Sequence, residues 1–240
     1  MSFALRLTLP EQIAEHLRTQ IIRSEWKPGE KIQEEKVAEQ LGVSRSPVRE
    51  ALRILEKDRL VVVIPRRGAR VTEMTVADVN HLFDVLVELY ALGARRFAEE
   101  GTEEDRARLR AVTEKLEACA DRNDIPGYSD AMIEFGFIGR RGSHNPLLEQ
   151  MLKELDACLR RAEYASVTVQ QGSLKKNVSH FKRIARYAAQ ERKADKAAEA
   201  VRRLFLEEKA AVLKNIEEDL ARKRKSEEAK RASGAAWKKP

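Results

Sequence analysis

Apolar residues recur at helical spacing through the N-terminal part of the chain and predict three short helices. The first begins near Thr8, with Pro10 in its first turn, where the missing proline N–H costs nothing. The second runs from about Gln33 to Leu41 and ends at Gly42, and the third begins after Ser44. The apolar positions that define the first and third helices are Ile13, Leu17, Ile21, Val48, Ala51, Leu52 and Leu55.

A β-hairpin is predicted directly after the third helix. Leu60 to Ile64 is a short segment rich in β-branched residues, and the sequence Pro65-Arg66-Arg67-Gly68 interrupts it before Ala69-Arg70-Val71 resumes the pattern. Helix, glycine turn, helix and hairpin in this order predict a winged helix-turn-helix, which consists of three helices and a small hairpin.

From Thr75 onward the pattern is helical, and Thr102 followed by Asp105 resembles a capping box. The predicted domains are therefore a winged helix-turn-helix domain over residues 1–75, an all-helical domain over residues 76–224, and a basic tail over residues 225–240. The tail lacks apolar periodicity and is predicted to be frayed or disordered. A loop is predicted from Ser166 to Gly172. The predicted helices of the second domain span about 76–99, 102–121, 127–141, 145–164, 174–191 and 194–224.

Composition narrows the class of protein. The chain has 240 residues, of which 42% are apolar and 35% charged, and no apolar segment approaches the ~20 residues that cross a bilayer. The N-terminus does not resemble a secretory signal, and Cys119 and Cys158 lie in helical patterns. We therefore expect a cytoplasmic protein whose cysteines are small core residues in a reducing compartment.

The net charge of +7 is unevenly distributed. Residues 1–75 carry +3, residues 76–213 carry no net charge, and residues 214–240 carry +4. Basic end segments beside a neutral body are typical of a DNA-binding module attached to another domain. Charge alone is equally compatible with a solubilising surface, so the motif decides between the two.

The third helix carries the chemistry expected of a recognition helix. Arg45, Arg49 and Arg53 are spaced four residues apart, opposite the apolar face. Arginine binds the O6 and N7 atoms of guanine through two hydrogen bonds in the major groove. Ser44 and Ser46 can donate to phosphates. At the hairpin tip, the predicted DNA contacts are Arg66, Arg67 and Gly68.

The sequence offers no positive evidence for an enzyme. Neither cysteine has a histidine nearby, no phosphate-binding glycine loop follows a strand, and no zinc-ligand spacing occurs. We expect a protein without catalytic residues.

Residues 8–73 resemble the N-terminal domain of the GntR family of bacterial transcription regulators. The resemblance is carried by Trp26-Lys27-Pro28-Gly29-Glu30, by the segment from Val37 to Leu52, which includes Gly-Val-Ser-Arg-Ser-Pro-Val-Arg-Glu-Ala-Leu, and by Pro65-Arg66-Arg67-Gly68. It implies that Arg45 and Arg49 contact the operator and that Gly68 lies against the DNA. A further family arginine is replaced by Glu35, so that either Lys36 substitutes for it or the operator differs from the usual family sequence.

Residues 76–220 resemble the FCD effector domain of the FadR branch, on the basis of Phe135, Asn145-Pro146-Leu147-Leu148, His180 and an alanine-rich final helix. The resemblance implies an antiparallel helix bundle that dimerises around a central pocket. Most members bind a divalent metal with one aspartate and three histidines. The aligned positions here are Met132, Gly136, His180 and, in the final helix, Leu204 or Phe205, so we expect no cofactor and no metal. A register with Asp130 and Glu134 loses the match at Phe135.

The replaced positions predict an effector pocket that is less polar than in metal-binding relatives. Two further polar family positions, an arginine and a glutamate, align with Leu86 and Tyr90. Arg160 or Arg161 could pair with one acid group of a ligand. The candidate effector-binding residues are Leu86, Tyr90, Met132, Gly136, Arg160, Arg161, His180, Leu204 and Phe205.

The sequence therefore predicts a homodimeric, ligand-responsive transcription regulator. The most favoured version is a repressor that binds a near-palindromic operator in double-stranded DNA and responds to a small organic acid or a less polar metabolite. Two alternatives stay open. One is a DNA-binding dimer with a vestigial pocket and no effector, and the other is an architectural protein that binds DNA without sequence preference.

Overall fold

The computed structural model describes residues 7–65, 67–169 and 174–236. Its N-terminal unit is a winged helix-turn-helix, as the sequence predicts. Strands β1 and β2 flank β3, and both pair with it in antiparallel register. The elements of this unit are α1 (Leu9–Ile22), β1 (Lys31–Ile32), α2 (Glu34–Leu41), α3 (Arg45–Lys57), β2 (Val61–Ile64) and β3 (Gly68–Val71).

Local sequence signals set the helix boundaries of this unit. Thr8 and Glu11 form a capping box at the start of α1, with Pro10 in the first turn. Gly42 ends α2 in the left-handed conformation, with φ of 65°. The two-residue strand β1 was absent from the sequence prediction, because a segment this short has no periodicity of its own and is defined by its pairing with β3.

The second unit is helical throughout the residues that the structure describes. Thr75 with Asp78 and Thr102 with Asp105 form capping boxes at the starts of its first two helices. The last helix of this unit packs extensively along the first helix of the same unit. The elements are α4 (Val76–Glu100), α5 (Glu103–Asp121), α6 (Ile125–Arg141), α7 (Pro146–Val169), α8 (Leu174–Ala185), a π-helical turn (Arg186–Gln190) and α9 (Ala194–Ala236).

Two predicted boundaries differ from the structure. Helix α7 continues through Val169, whereas the sequence predicted a loop from Ser166, and residues 170–172 of that loop lie outside the described residues. Helix α9 continues through Ala236, whereas the sequence predicted a frayed tail from Lys225. Alanine, glutamate, lysine and arginine, which are strong helix formers, extend α9 without needing an apolar face. The last four residues of the predicted tail are outside the described part of the chain.

The buried side chains form two cores. One lies within the winged helix-turn-helix, and the other fills the helical unit from Val79 to Val212. Ala157 of α7 belongs to the first core although it lies in the helical unit, so this helix contacts both. None of the described helices is long and apolar enough to cross a membrane.

Candidate DNA-binding surface and ligand cavity

Helix α3 separates an apolar face from a basic one. Val48, Ala51, Leu52 and Leu55 are fully buried against the rest of the winged helix-turn-helix. Arg45, Arg49 and Arg53 are exposed on the opposite side. The start of α3 is therefore presented to solvent with a row of guanidinium groups, as direct readout in a major groove requires.

Two of these arginines bind acidic residues of α2. Arg49 donates to the Glu34 carboxylate from Nη2 at 2.9 Å, and Arg45 forms an ion pair with Glu35. The hydrogen bonds from Arg49 to Glu34 raise the pKa of that guanidinium. Both arginine side chains remain more than half exposed, so water screens these pairs and the arginines can exchange partners. From the sequence alone, Glu35 is only a position where a family arginine is replaced, and its pairing with Arg45 is not evident.

The arginines of α3 share a groove with the wing. Its walls include Arg45, Arg49 and Arg53 on one side and Arg67 and Gly68 on the other. Lys31 of β1 also lines this groove, and the sequence analysis missed it because β1 was not predicted. Arg66, the other predicted wing cation, lies outside the described residues.

Gly68 has a structural reason of its own to be glycine. Its φ is +85°, and a Cβ atom there would lie 2.3 Å from the main-chain oxygen of Ile32. The close contact between β3 and β1 therefore requires a glycine at position 68, independently of any contact between Gly68 and DNA.

The remaining predicted DNA contacts are exposed. Ser44 occupies the N-cap position of α3 but makes no capping hydrogen bond through its side chain. Ser46 lies in the first turn of α3, and Lys36 is exposed on α2, outside the groove. Ser44 and Ser46 thus lie beside the first turn of the recognition helix, where phosphate contacts are common.

The helical unit contains a cavity of about 70 Å³, which is enough for several water molecules. Six predicted effector-binding residues line it: Tyr90, Met132, Gly136, Arg160, Leu204 and Phe205. The rest of the wall is mainly apolar and includes Phe97, Phe135, Phe137 and Phe181.

The acidic groups of this cavity, together with Arg140, are the part that sequence reasoning missed. Asp156 binds two arginines, Arg140 Nη1 at 3.1 Å and Arg160 Nη2 at 2.7 Å. Glu163 and Glu208 also line the cavity, and the Oε2 atom of Glu208 is buried without a hydrogen-bond partner. Burial raises the pKa of Glu208 to about 8. Burial and the negative charges of Glu208 and Asp156 raise the pKa of Glu163 well above its usual range.

A regular spacing could have revealed the members of this cluster that lie on α7. Asp156, Arg160 and Glu163 are four and three residues apart, which places them on one helix face together with the buried Leu152 and Leu159. Charged residues that lie on the same helix face as buried apolar residues are themselves expected to be buried.

Three predicted effector-binding residues lie elsewhere, and this corrects the prediction. Leu86 is fully buried but does not line the cavity. Arg161 donates to Thr72, from Nη1 to Oγ1 at 2.8 Å and from Nη2 to the main-chain oxygen at 2.7 Å. His180 lies 3.2 Å from Glu207 through Nε2, and burial lowers its pKa. The helix turns by about 100° per residue, so Arg161 faces away from the cavity that its neighbour Arg160 lines.

The family metal does not fit the residues present. Met132 and Gly136 offer no nitrogen or oxygen side-chain ligand at the aligned positions, and His180 is engaged by Glu207 away from the cavity. Within the described residues, no group of three or more histidine, cysteine, aspartate or glutamate side chains has metal-binding geometry.

Helix α7 links the cavity to the DNA-binding unit. Asp156, Arg160 and Glu163 line the cavity, whereas Ala157, Cys158 and Arg161 contact the DNA-binding unit. Ala157 packs in its core, and the Cys158 thiol lies 3.6 Å from the main-chain oxygen of Asp58. Burial raises the pKa of that thiol, so Cys158 is held as a neutral contact residue.

Comparison with known proteins agrees with this division of the chain. Residues 9–71 match the family of bacterial regulatory proteins named gntR, and residues 81–207 match the FCD domain. The HTH-type transcriptional regulator YdhC of Bacillus subtilis is 37% identical over 106 residues, which are 44% of this chain and 47% of that protein. This chain therefore spans less than half of that relative.

Two further similarities extend over more of the protein that is compared with this chain. An HTH-type transcriptional regulator from the TAR-I ttuE-ttuC' intergenic region of Agrobacterium vitis is 35% identical over 122 residues, which are 50% of this chain and 71% of that protein. The structure of McbR/YncC from E. coli aligns with a TM-score of 0.76 at 20% identity, covering 87% of this chain and 99% of that one. The latter similarity supports the fold.

Proposed function

The chain belongs to the gntR family of bacterial regulatory proteins and carries an FCD domain, and from this premise we propose that it is a repressor whose operator affinity changes when a small metabolite enters the cavity of the helical unit. Regulators of this family bind DNA and are not enzymes, in agreement with the sequence prediction. The metabolite has a largely apolar body, because most of the cavity wall is apolar or aromatic. No metal takes part in binding it.

The observation that carries this proposal is the two-sided contact of α7. One face lines the cavity through Asp156, Arg160 and Glu163, and the other contacts the DNA-binding unit through Ala157 and Arg161. A ligand that reorients the first face moves the second. Coupling requires such a difference in contacts between two states of the protein.

The proposed DNA site is the groove between α3 and the wing. Arg45, Arg49 and Arg53 enter the major groove, and Arg67 contacts the backbone beside it, as does Arg66. Ser44, Ser46 and Lys36 contribute phosphate contacts. The arginines of α3 leave Glu34 and Glu35 for DNA, because exposed ion pairs contribute little.

We propose a homodimer that binds two half-sites of a near-palindromic operator. Support comes from exposed apolar side chains on α4 and α9, which pack on each other: Val85, Leu92 and Leu206 are 49%, 41% and 60% exposed. Sedimentation velocity tests this point. Leu92→Glu should shift the protein toward monomer, whereas Leu147→Glu, which alters another exposed leucine away from these helices, should not.

Selection of bound fragments from a random DNA library tests the DNA-binding part of the proposal. Two related half-sites about one helical turn apart support it. Enrichment without any sequence preference would indicate an architectural protein instead.

Operator affinity in the presence of small acids, alcohols and amines tests the ligand response. We expect at least one compound to lower operator affinity by a factor of about 5 to 150, the usual range of allosteric coupling. Arg161→Ala should reduce this factor while leaving DNA binding and compound binding intact. Arg108→Ala, on an exposed face of α5, is the matched control. A response to none of these compounds would favour a dimer with a vestigial pocket.

A further inference from the structure

The balance of charge in the cavity favours a cationic ligand. Its wall carries two arginines, Arg140 and Arg160, and three acids, Asp156, Glu163 and Glu208. Asp156 already engages both arginines. When every acid is ionised, one negative charge in the cavity is left without a compensating cation, and a buried uncompensated charge is costly.

Three polar atoms in the cavity wall lack hydrogen-bond partners: Glu208 Oε2, Arg140 Nε and Arg160 Nε. The Oε2 atom of Glu208 is buried without a hydrogen bond, and so is the Nε atom of Arg140, whose side chain is only 9% exposed. Buried polar atoms are almost always hydrogen-bonded, so these atoms mark positions where the polar groups of a ligand or ordered water can bind.

Aromatic rings form much of the remaining wall. Tyr90 and Phe205 lie with ring centroids 4.9 Å apart, and Phe135 and Phe181 lie with centroids 5.1 Å apart. Ring faces attract cations and repel anions, because the quadrupole places negative charge on the face. An aromatic wall of this kind can accommodate a cation against a ring face, which is compatible with the negative charge of the carboxyls.

We propose that the cavity binds a small protonated organic amine, whose nitrogen donates hydrogen bonds to Glu163 and Glu208 and whose apolar body contacts the aromatic wall. This inference rests on the proposed function, because the same cavity is the proposed effector site.

An organic acid is the rival class, because the unpartnered Nε atoms of Arg140 and Arg160 could donate to it. The count of charges decides against it. A carboxylate would become the fourth acid facing two arginines that are already held by Asp156. A neutral oxygen of the ligand, or water, satisfies the Nε donors without adding charge.

Binding of the amine should release a proton. The raised pKa values of Glu163 and Glu208 keep a proton on this pair when the cavity holds no cation. The ligand enters as an alkylammonium ion, the pair loses its proton to solvent, and the total charge of the cavity is unchanged. The other titratable or charged groups facing the pair are Tyr90, Tyr128, Arg140, Asp156 and Arg160.

The test uses butylamine, cyclohexylmethylamine and benzylamine, each compared with the alcohol and the carboxylate that correspond to it. Isothermal titration of the full chain, without DNA, should detect binding of at least one amine that is tighter than binding of its matched partners. Titration in buffers of different ionisation enthalpy should show release of up to one proton. Amine affinity should rise between pH 6 and pH 8 and then level off, since the amines stay protonated over this range.

Two variants assign the effect to the carboxyl pair. Glu208→Gln should weaken amine binding about tenfold or more and abolish proton release, while weakening alcohol binding much less. Glu199→Gln, at an exposed position on the same helix, should behave like the unmodified protein. Because glutamine preserves the shape of the side chain without the buried charge, we expect Glu208→Gln to fold.

The outcomes separate this inference from the proposed function. Tighter binding of the matched carboxylates, or of Mg²⁺ or Zn²⁺ titrated alone, would overturn the inference. If operator affinity responded to a carboxylate and to no amine, the proposed repressor function would be retained and the inference of an amine ligand would be rejected. Tight amine binding without any change in operator affinity would support the inference of an amine ligand and overturn the proposal that ligand binding changes operator affinity.

Discussion

Arginine and acidic side chains meet at two places in this protein, on the surface of α3 and inside the helical unit. On the surface, Arg45 and Arg49 pair with Glu35 and Glu34, and both guanidinium groups are more than half exposed. Inside, Arg140 and Arg160 share Asp156, and the Arg140 side chain is nearly buried. The same kinds of ion pair are therefore found in water and in a largely apolar cavity.

The difference in environment gives the two clusters different tasks. Water screens the surface pairs, so each contributes little and can be replaced by a phosphate or a base. Burial makes the inner charges expensive to leave unpaired, so they define which ligand charge the cavity accepts. The surface cluster is suited to exchange of partners, and the inner cluster to selection.

The largest expected effect is the loss of the inner acid. Asp156→Asn leaves Arg140 and Arg160 without a shared anion and should destabilise the protein by about 3 kcal/mol or more. Glu104→Gln removes an exposed partner of Arg108 and should cost less than about 1 kcal/mol. Urea unfolding of both variants measures the contrast. Similar small losses would show that the arginines find another anion, such as Glu163, and that the inner cluster is as replaceable as the surface one.

The pH dependence of stability should come next in size. The folded state raises the pKa of Glu208 to about 8, so protonated Glu208 favours folding. Its contribution is complete below the ordinary pKa of glutamate, near 4.5, and is lost as the pH rises through about 8. The melting temperature should therefore fall by several degrees over this range.

Glu208→Gln should flatten that pH profile, since glutamine does not titrate. Glu199→Gln should keep the slope of the unmodified protein. An unchanged slope in Glu208→Gln would show that another group causes the pH dependence.

At the surface cluster, Arg49→Ala should weaken operator binding by about tenfold to a hundredfold, because a bidentate contact to guanine is lost. Binding to unrelated DNA should change much less. Fluorescence anisotropy with both DNA fragments measures the ratio. Equal losses on both fragments would assign Arg49 to the phosphate backbone.

The smallest expected effect comes from the acids of α2. Glu35→Gln releases Arg45 from its ion pair and should tighten operator binding by about twofold to fivefold, since exposed pairs are weak. Glu39→Gln changes the charge of the same helix away from the groove and serves as the control. A decrease in operator affinity would instead mean that Glu35 itself contacts a base or positions Arg45 for DNA.

The sequence was sufficient to predict the winged helix-turn-helix because its signals are local. Gly42, the apolar face of α3 and the break at Pro65 each fix one element through its own residues. Strand β1 could not be found in this way, because Lys31 and Ile32 become a strand only through pairing with a strand nearly 40 positions later in the chain.

The cavity shows the same limit more clearly. Glu163 and Glu208 lie on different helices, and neither matches a motif. The sequence left Arg160 and Arg161 as equal candidates, although adjacent residues on a helix face in different directions. Packing decides the matter, since Arg161 contacts Thr72 and Arg160 contacts Asp156. Predictions from aligned family positions placed five residues at the cavity, and Arg160 was predicted from its place in the bundle, but the acids Asp156, Glu163 and Glu208 were missed.

Helix α7 also has a consequence for engineering. Exchange of domains between regulators of this kind is an obvious route to new biosensors, and the segment near Thr75 looks like a convenient junction. Ala157 completes the core of the winged helix-turn-helix, however, and Arg161 binds Thr72 just before that junction. A chimera joined there would pair a foreign α7 with this DNA-binding unit and would lose both contacts. A working hybrid must transfer the α7 residues at positions 157, 158 and 161 with the DNA-binding unit, while the alternate positions 156, 160 and 163 go with the sensor.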